Sequence, residues 1–229
     1  MKFFTKLRKK LLLKISSIIQ LSNKLKSKSV FIDCGAYDGC SAIKASILHP
    51  FIKEIISFEA DPRMWTKEAS IVSTLIPVAV WIYNGQIDFQ IITKNKYGGQ
   101  YAGAGSLVEE KQQANKSMHR EVQLIKVPCI DLVDWIKKNY KSSDQIILKL
   151  DIEGAEYAIL KKLIEEKLYY FINILYIEWH PKFSPFTAEV TEEIRRETYE
   201  KFSNVEDWDA LNFSIVDKEN SLYKAKNIN

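Results

Sequence analysis

The chain has 229 residues, 46% of them hydrophobic, with Lys+Arg 33 against Asp+Glu 29 and a formal net charge of +4. Its length and composition allow one core-bearing domain of about 200 residues plus an extension, and no uninterrupted apolar run approaches the roughly 20 residues of a membrane span. Cys34, Cys40 and Cys129 form no C-x-x-C pair and are odd in number, which argues against a disulfide framework or a thiolate zinc site and suits reduced core cysteines of a cytoplasmic protein.

The positive charge is confined to the start of the chain. Residues 1–28 hold nine Lys or Arg and no acid, leaving 24 basic and 29 acidic residues elsewhere, so the body is near −5. Phe4, Leu7, Leu11, Ile15, Ile18 and Leu25 fall three, four or seven apart, with Lys6, Lys10, Lys14 and Lys24 among them. That spacing predicts a basic amphipathic helix. It reads either as peripheral contact with an anionic membrane or a partner, or as a helix covering one sheet face with its lysines in water. A cleaved signal peptide does not fit, because Lys14 breaks the apolar stretch and no A-x-A site follows. Residues 29–229 are then the folded domain, whose acidic balance disfavours nucleic acid as a partner.

From residue 29 the elements alternate. The pattern predicts strand 30–34, helix 40–48, strand 54–59, helix 62–73 and strand 76–81, then a turn at Asn84-Gly85 into a strand at 86–93. Further on it predicts strand 121–127, helix 130–139, strand 146–151, helix 155–168, strand 173–179 and helix 187–202, with two closing strands at 210–216 and 221–224. Such an alternation closes as an α/β, Rossmann-like, seven-stranded and mostly parallel sheet with helices on both faces and an antiparallel C-terminal hairpin. Between the halves, YGGQYAGAGSL at 97–107 carries four of the eight glycines. It reads as a surface loop, or as a lid with Ser106 near a ligand.

Three segments carry the chemistry. In FIDCGAYDG, residues 31–39, Gly35 and Gly39 permit positive φ and close approach of a ligand beside a helix start. Glu59, at the end of the second strand and twenty residues after Gly39 in FEADP, is placed to accept hydrogen bonds from both hydroxyls of an unphosphorylated ribose. Tyr37 stands where a dinucleotide fingerprint has its second glycine, which obstructs a pyrophosphate but not an amino-acid tail. In ILKLDIEGAEY, residues 147–157, Asp151 ends a strand and faces the crevice, Glu153 and Gly154 turn the chain, and Glu156 lies in the first turn of a helix, where a carboxylate also complements the dipole. Strand alternation in Ile177-Glu178-Trp179-His180 puts Glu178 and His180 on one side, able to converge with Asp151. His49 and His119 read as surface residues. Asp151 and Glu153 can also be read simply as acids capping a helix start.

FIDCGAYDG, FEADP, the Ala79-Val80 pair, ILKLDIEGAEYAIL and YIEWH together resemble the FkbM family of S-adenosylmethionine-dependent O-methyltransferases, over roughly residues 29–180. The resemblance implies the class I methyltransferase fold and methylation of hydroxyls, often on sugars, glycans or polyketides. It implies Asp33, Gly35, Tyr37 and Gly39 at the methionine end, Glu59 with Ala60 at the ribose, and Ala79 near the adenine. Asp151 is then the first choice for the base or orienter, with Glu153 beside it and His180 second. Alternatively Mg or Mn held by Asp151 with Glu178 or His180 polarises the acceptor hydroxyl. The acceptor is expected to be a small molecule or a glycan. Two other classes stay open: a nicotinamide oxidoreductase of Rossmann type, and an inactive binding module of the same fold. Residues 1–28 lie outside the resemblance, and the oligomeric state is not legible.

Overall fold

The structure, a computed structural model, describes residues 27–65, 72–94, 104–118 and 120–208. The expected N-terminal helix, residues 66–71 of helix 62–73, the glycine-rich stretch up to residue 103, His119 and the closing hairpin lie outside the described residues. No helix among them is long and apolar enough to cross a membrane.

The main sheet is built from β1 (Ser29–Cys34), β2 (Glu54–Phe58), β3 (Thr74–Ile76), β7 (Gln145–Leu150), β8 (Ile172–Ile177) and β9 (Val205–Asp207) in the order β3-β2-β1-β7-β8-β9. All of its pairings are parallel. The expected seven-stranded sheet is therefore six-stranded among the described residues. Every residue of β1 is buried, as a central parallel strand covered on both faces must be. Val30, Ile32 and Cys34 point to one face, where α3 (Leu132–Asn139), α4 (Glu156–Glu165) and α5 (Ala188–Lys201) supply Leu132, Ile136, Leu160, Leu163 and Ile194. Phe31 points to the other, packing with Ile55, Ile147, Tyr176 and Trp208 beneath α1 (Cys40–Leu48), whose Ala42 and Ala45 allow close approach. His49, expected at the surface, is half-buried there, with Nε2 3.1 Å from the Tyr176 hydroxyl.

The predicted strand 76–81 is two strands. Pro77 has no N–H to give a ladder, and around it the Val78 N–H donates to the Ile76 carbonyl at 2.9 Å. β3 ends in the main sheet, while β4 (Ala79–Trp81) enters a second sheet of order β4-β6-β5. In that sheet β5 (Gly85–Lys94) runs antiparallel to β6 (Glu121–Asp131). β6 runs past Pro128, and β4 pairs with it only from Cys129 on. Two elements the sequence pattern did not predict are α2 (Glu109–Ser117), which is nearly all polar, and the short edge strand β9.

From β1 the chain builds outward to β3, then returns to the other side of β1 for β7, β8 and β9. The carboxyl ends of β1 and β7 thus flank the point where strand order reverses, the place where open α/β sheets bind ligands. Arg63 fixes the second sheet beside that point: its Nη1 donates to the Ile92 carbonyl at 2.7 Å, and its Nε donates to Asp61 at 2.9 Å.

Candidate active site

A cavity of about 420 Å³ opens at the reversal point. Its floor is the β1 turn. Gly35 has φ 84, and a Cβ built there would lie 1.9 Å from the Asp151 carbonyl oxygen. The turn after β1 therefore touches the turn after β7 through a position that only glycine can fill. Gly35→Ala is expected to cost at least about 3 kcal/mol, because left-handed strain adds to a backbone overlap that nothing flexible can relieve. A urea midpoint equal to that of the unsubstituted chain would refute this.

Glu59 stands at one wall, 8% exposed. One carboxylate oxygen accepts the Tyr37 N–H and the other the Asp61 N–H, each at 2.7 Å. Burial pushes its carboxyl up, and those two N–H groups pull it back down. A carboxylate has about four lone-pair sites, so two bonds to the turn leave capacity for two hydroxyls. The 3-10 turn that follows (Pro62–Met64) is capped by Asp61, which accepts the Arg63 N–H at 3.0 Å.

Behind the floor lies an ion network that sequence reasoning missed. Lys149 Nζ sits 3.1 Å from Asp33 Oδ1 and 3.3 Å from Asp151 Oδ2, and donates to the Gly35 carbonyl at 2.7 Å. Both Lys149 and Asp33 have side chains 0% exposed. Burial pushes the Asp33 carboxyl up against the pull of Lys149. Burial also pushes the Lys149 ammonium down, but Asp33 and Asp151 more than reverse this and raise it. The lysine decides the state of the network, because two carboxylates and a carbonyl oxygen surround it. It is an ammonium. The available signal was a lysine in the middle of the otherwise apolar strand QIILKL.

The expected convergence around Asp151 occurs. One ligand-type atom from each of Asp151, Glu178 and His180 lies within 4.8 Å of the others. β8 ends at Ile177, so His180 reaches the cluster from the turn beyond the strand. Glu156, 0% exposed, does more than complement a helix dipole. Its Oε1 accepts the His180 N–H at 2.9 Å and lies 3.2 Å from His180 Nδ1, and its Oε2 accepts the Gly154 N–H at 2.9 Å. Burial would lower the His180 pKa, but the hydrogen bond to Glu156 and the charges of Glu156, Glu153 and Asp151 raise it to about 9. At neutral pH this imidazole is protonated, which suits it to balance charge rather than accept a proton. Burial, and then the charge of Asp151, push the Glu178 carboxyl up.

Glu153, at φ 55, is held from outside the main sheet. Lys111 of α2 pairs with its carboxylate at 2.6 Å, and the Ser106 hydroxyl donates to its carbonyl at 3.0 Å. Ser106 is 1% exposed and bridges to Gln90 of β5, so the segment from Ala104 on is hydrogen-bonded in place.

Of the residues expected at the cofactor, Gly35, Tyr37, Glu59, Ala60 and Ala79 line the cavity, as do Asp151, Glu153 and Glu178. Asp33 lies behind the floor with Lys149, and Gly39 caps α1 with φ 85. Cys34 and Cys129 are buried as expected, whereas Cys40 is exposed and lines the cavity. The profile described as "Methyltransferase FkbM domain" matches residues 33–201, a span from the floor of the cavity through α5. No curated protein and no solved structure matches the chain.

Proposed function

Since the chain belongs to the FkbM methyltransferase family, we propose that it is an S-adenosylmethionine-dependent O-methyltransferase whose acceptor is a hydroxyl of a sugar in a glycan or glycoconjugate. The observation that carries this reading is the placement of Glu59 and Asp151 on the walls of one cavity, the first held by two backbone N–H groups and the second by Lys149.

The residues present fit the cofactor. A cavity of about 420 Å³ is of the size that takes such a ligand. Glu59 has lone pairs left for a ribose, Ala79, Val80, Phe89 and Leu107 offer an apolar wall for a base, and the Gly35 turn lets a backbone-hugging tail lie close. When bound, S-adenosylmethionine supplies a methyl group on a sulfonium: the acceptor oxygen bonds to the methyl carbon, the C–S bond breaks, and its electron pair stays on sulfur. The chain's own work is alignment and proton removal. Asp151, fixed by Lys149, accepts the hydroxyl proton. His180, as an imidazolium oriented by Glu156, balances the surrounding carboxylates. The sugar preference rests on the family resemblance, and small-molecule hydroxyls are the nearest alternative.

Incubation with methyl-labelled S-adenosylmethionine and a panel of sugars, oligosaccharides and simple alcohols tests the proposal. Label recovered in an alkali-stable ether on a sugar supports it, whereas label recovered on an amine or as a carboxyl ester refutes it. Glu59→Ala, by deleting two charge-assisted bonds to the ribose, should weaken S-adenosylhomocysteine binding by more than about a hundredfold. A calorimetric Kd near that of the unsubstituted protein would show that Glu59 does not hold the cofactor.

A further inference from the structure

The cluster beyond the cofactor wall has a surplus of negative charge. Asp33, Asp151, Glu153, Glu156 and Glu178 surround it, and among the described residues the two ammonium groups paired with them are Lys149, shared by Asp33 and Asp151, and Lys111, paired with Glu153. Glu156 and Glu178 are left with His180. The ring is also aimed. With Nδ1 3.2 Å from an oxygen of fully buried Glu156, its Nε2 faces Glu153 at 3.6 Å and Glu178 at 3.8 Å. A carboxylate behind one ring nitrogen is the arrangement that orients a metal-binding histidine and raises its basicity. Glu156 has both oxygens engaged, so it serves as that orienting group and not as a ligand.

We infer that Asp151, Glu178 and His180 Nε2 form a divalent-cation site at the acceptor end of the cavity. Two carboxylates and one imidazole are a hard, oxygen-rich donor set of the kind that takes Mg²⁺ or Mn²⁺. Asp151 and Glu178 line the same cavity as Glu59, so an acceptor oxygen entering beside the cofactor meets the cation. The existence of the site stands on the cluster alone, and its role rests on the methyl-transfer reading. The cation takes the acceptor hydroxyl as a further ligand and eases loss of its proton, which passes to a lone pair of Asp151 not used by the cation or Lys149. Ligation by Nε2 requires His180 to give up its own proton, whose charge the cation replaces.

The test is Mn²⁺ titration of the chelator-treated full-length protein, following free Mn²⁺ by electron paramagnetic resonance. Saturable uptake of one ion per chain is expected, with Glu178→Gln and His180→Gln each weakening it at least about tenfold. Glu178 is 42% exposed at its side chain, so the glutamine variant tests ligation without disturbing a buried partner. Uptake that never saturates, or that both variants leave unchanged, overturns the inference. S-adenosylhomocysteine titration of the same samples separates the two proposals. A protein that binds the nucleoside but takes up no Mn²⁺ refutes the cation site alone. A protein that takes up Mn²⁺ but does not bind the nucleoside upholds the site and refutes its role in methyl transfer.

Discussion

Asp151→Asn should lower turnover by about two to four orders of magnitude while leaving S-adenosylhomocysteine affinity nearly unchanged. The amide keeps the size of the carboxylate, so the crevice keeps its shape, but it cannot take the acceptor proton. The variant stays folded because Lys149 keeps its closer carboxylate partner, Asp33 at 3.1 Å, and its bond to the Gly35 carbonyl. Glu59 and the cavity's apolar wall are untouched, so the cofactor end binds as before. Turnover at the unsubstituted rate would remove Asp151 from the chemistry. A parallel loss of nucleoside binding would instead make it part of the cofactor's seat.

Lys149→Met should destabilise the protein by about 3–5 kcal/mol near neutral pH. Methionine fills similar space but strands Asp33, whose side chain is 0% exposed and has Ser57, at 3.4 Å, as its other hydrogen-bond partner. For a chain of this length, that loss corresponds to a fall in melting temperature of roughly 10 °C. The pH dependence gives a second check. Burial raises the Asp33 carboxyl in the folded protein, and removing Lys149 raises it further. A carboxyl whose folded pKa is raised contributes stability that is present below its unfolded value and lost as pH rises through the folded one. The deficit of the variant should therefore shrink as pH falls toward the ordinary aspartate range. A deficit independent of pH would mean that packing of the lysine stem, not charge, holds the network.

The architecture was largely legible because β1, β2, β7 and β8 are apolar runs that end in a turn signal or an acid, and their order with the intervening helices permits few sheets. The division of strand 76–81 was legible in principle at Pro77, which removes a donor from any ladder. α2 was hidden because EEKQQANKS has almost no apolar face; tertiary bonds from Gln90, Ser106 and Glu153 hold it in place of a hydrophobic stripe. In the site, Glu59, Asp151 and Glu178 could be placed from the ends of strands. Lys149 could not, because a lysine inside an apolar strand breaks the pattern on which the strand is recognised, and its partner Asp33 is 116 residues away by turn and crossover. Glu156 was only half legible: its place in the first helical turn was clear, but its grip on His180 depends on where the β8 turn falls.

The most direct test of the central claim is calorimetric titration of the full-length protein with S-adenosylhomocysteine, with a nicotinamide dinucleotide as competitor. The account predicts one nucleoside bound per chain, with no displacement by the dinucleotide, since Tyr37 takes the place of the second glycine of a dinucleotide fingerprint. Binding of the dinucleotide alone would make the crevice that of an oxidoreductase, and binding of neither would leave an inactive module of the same fold.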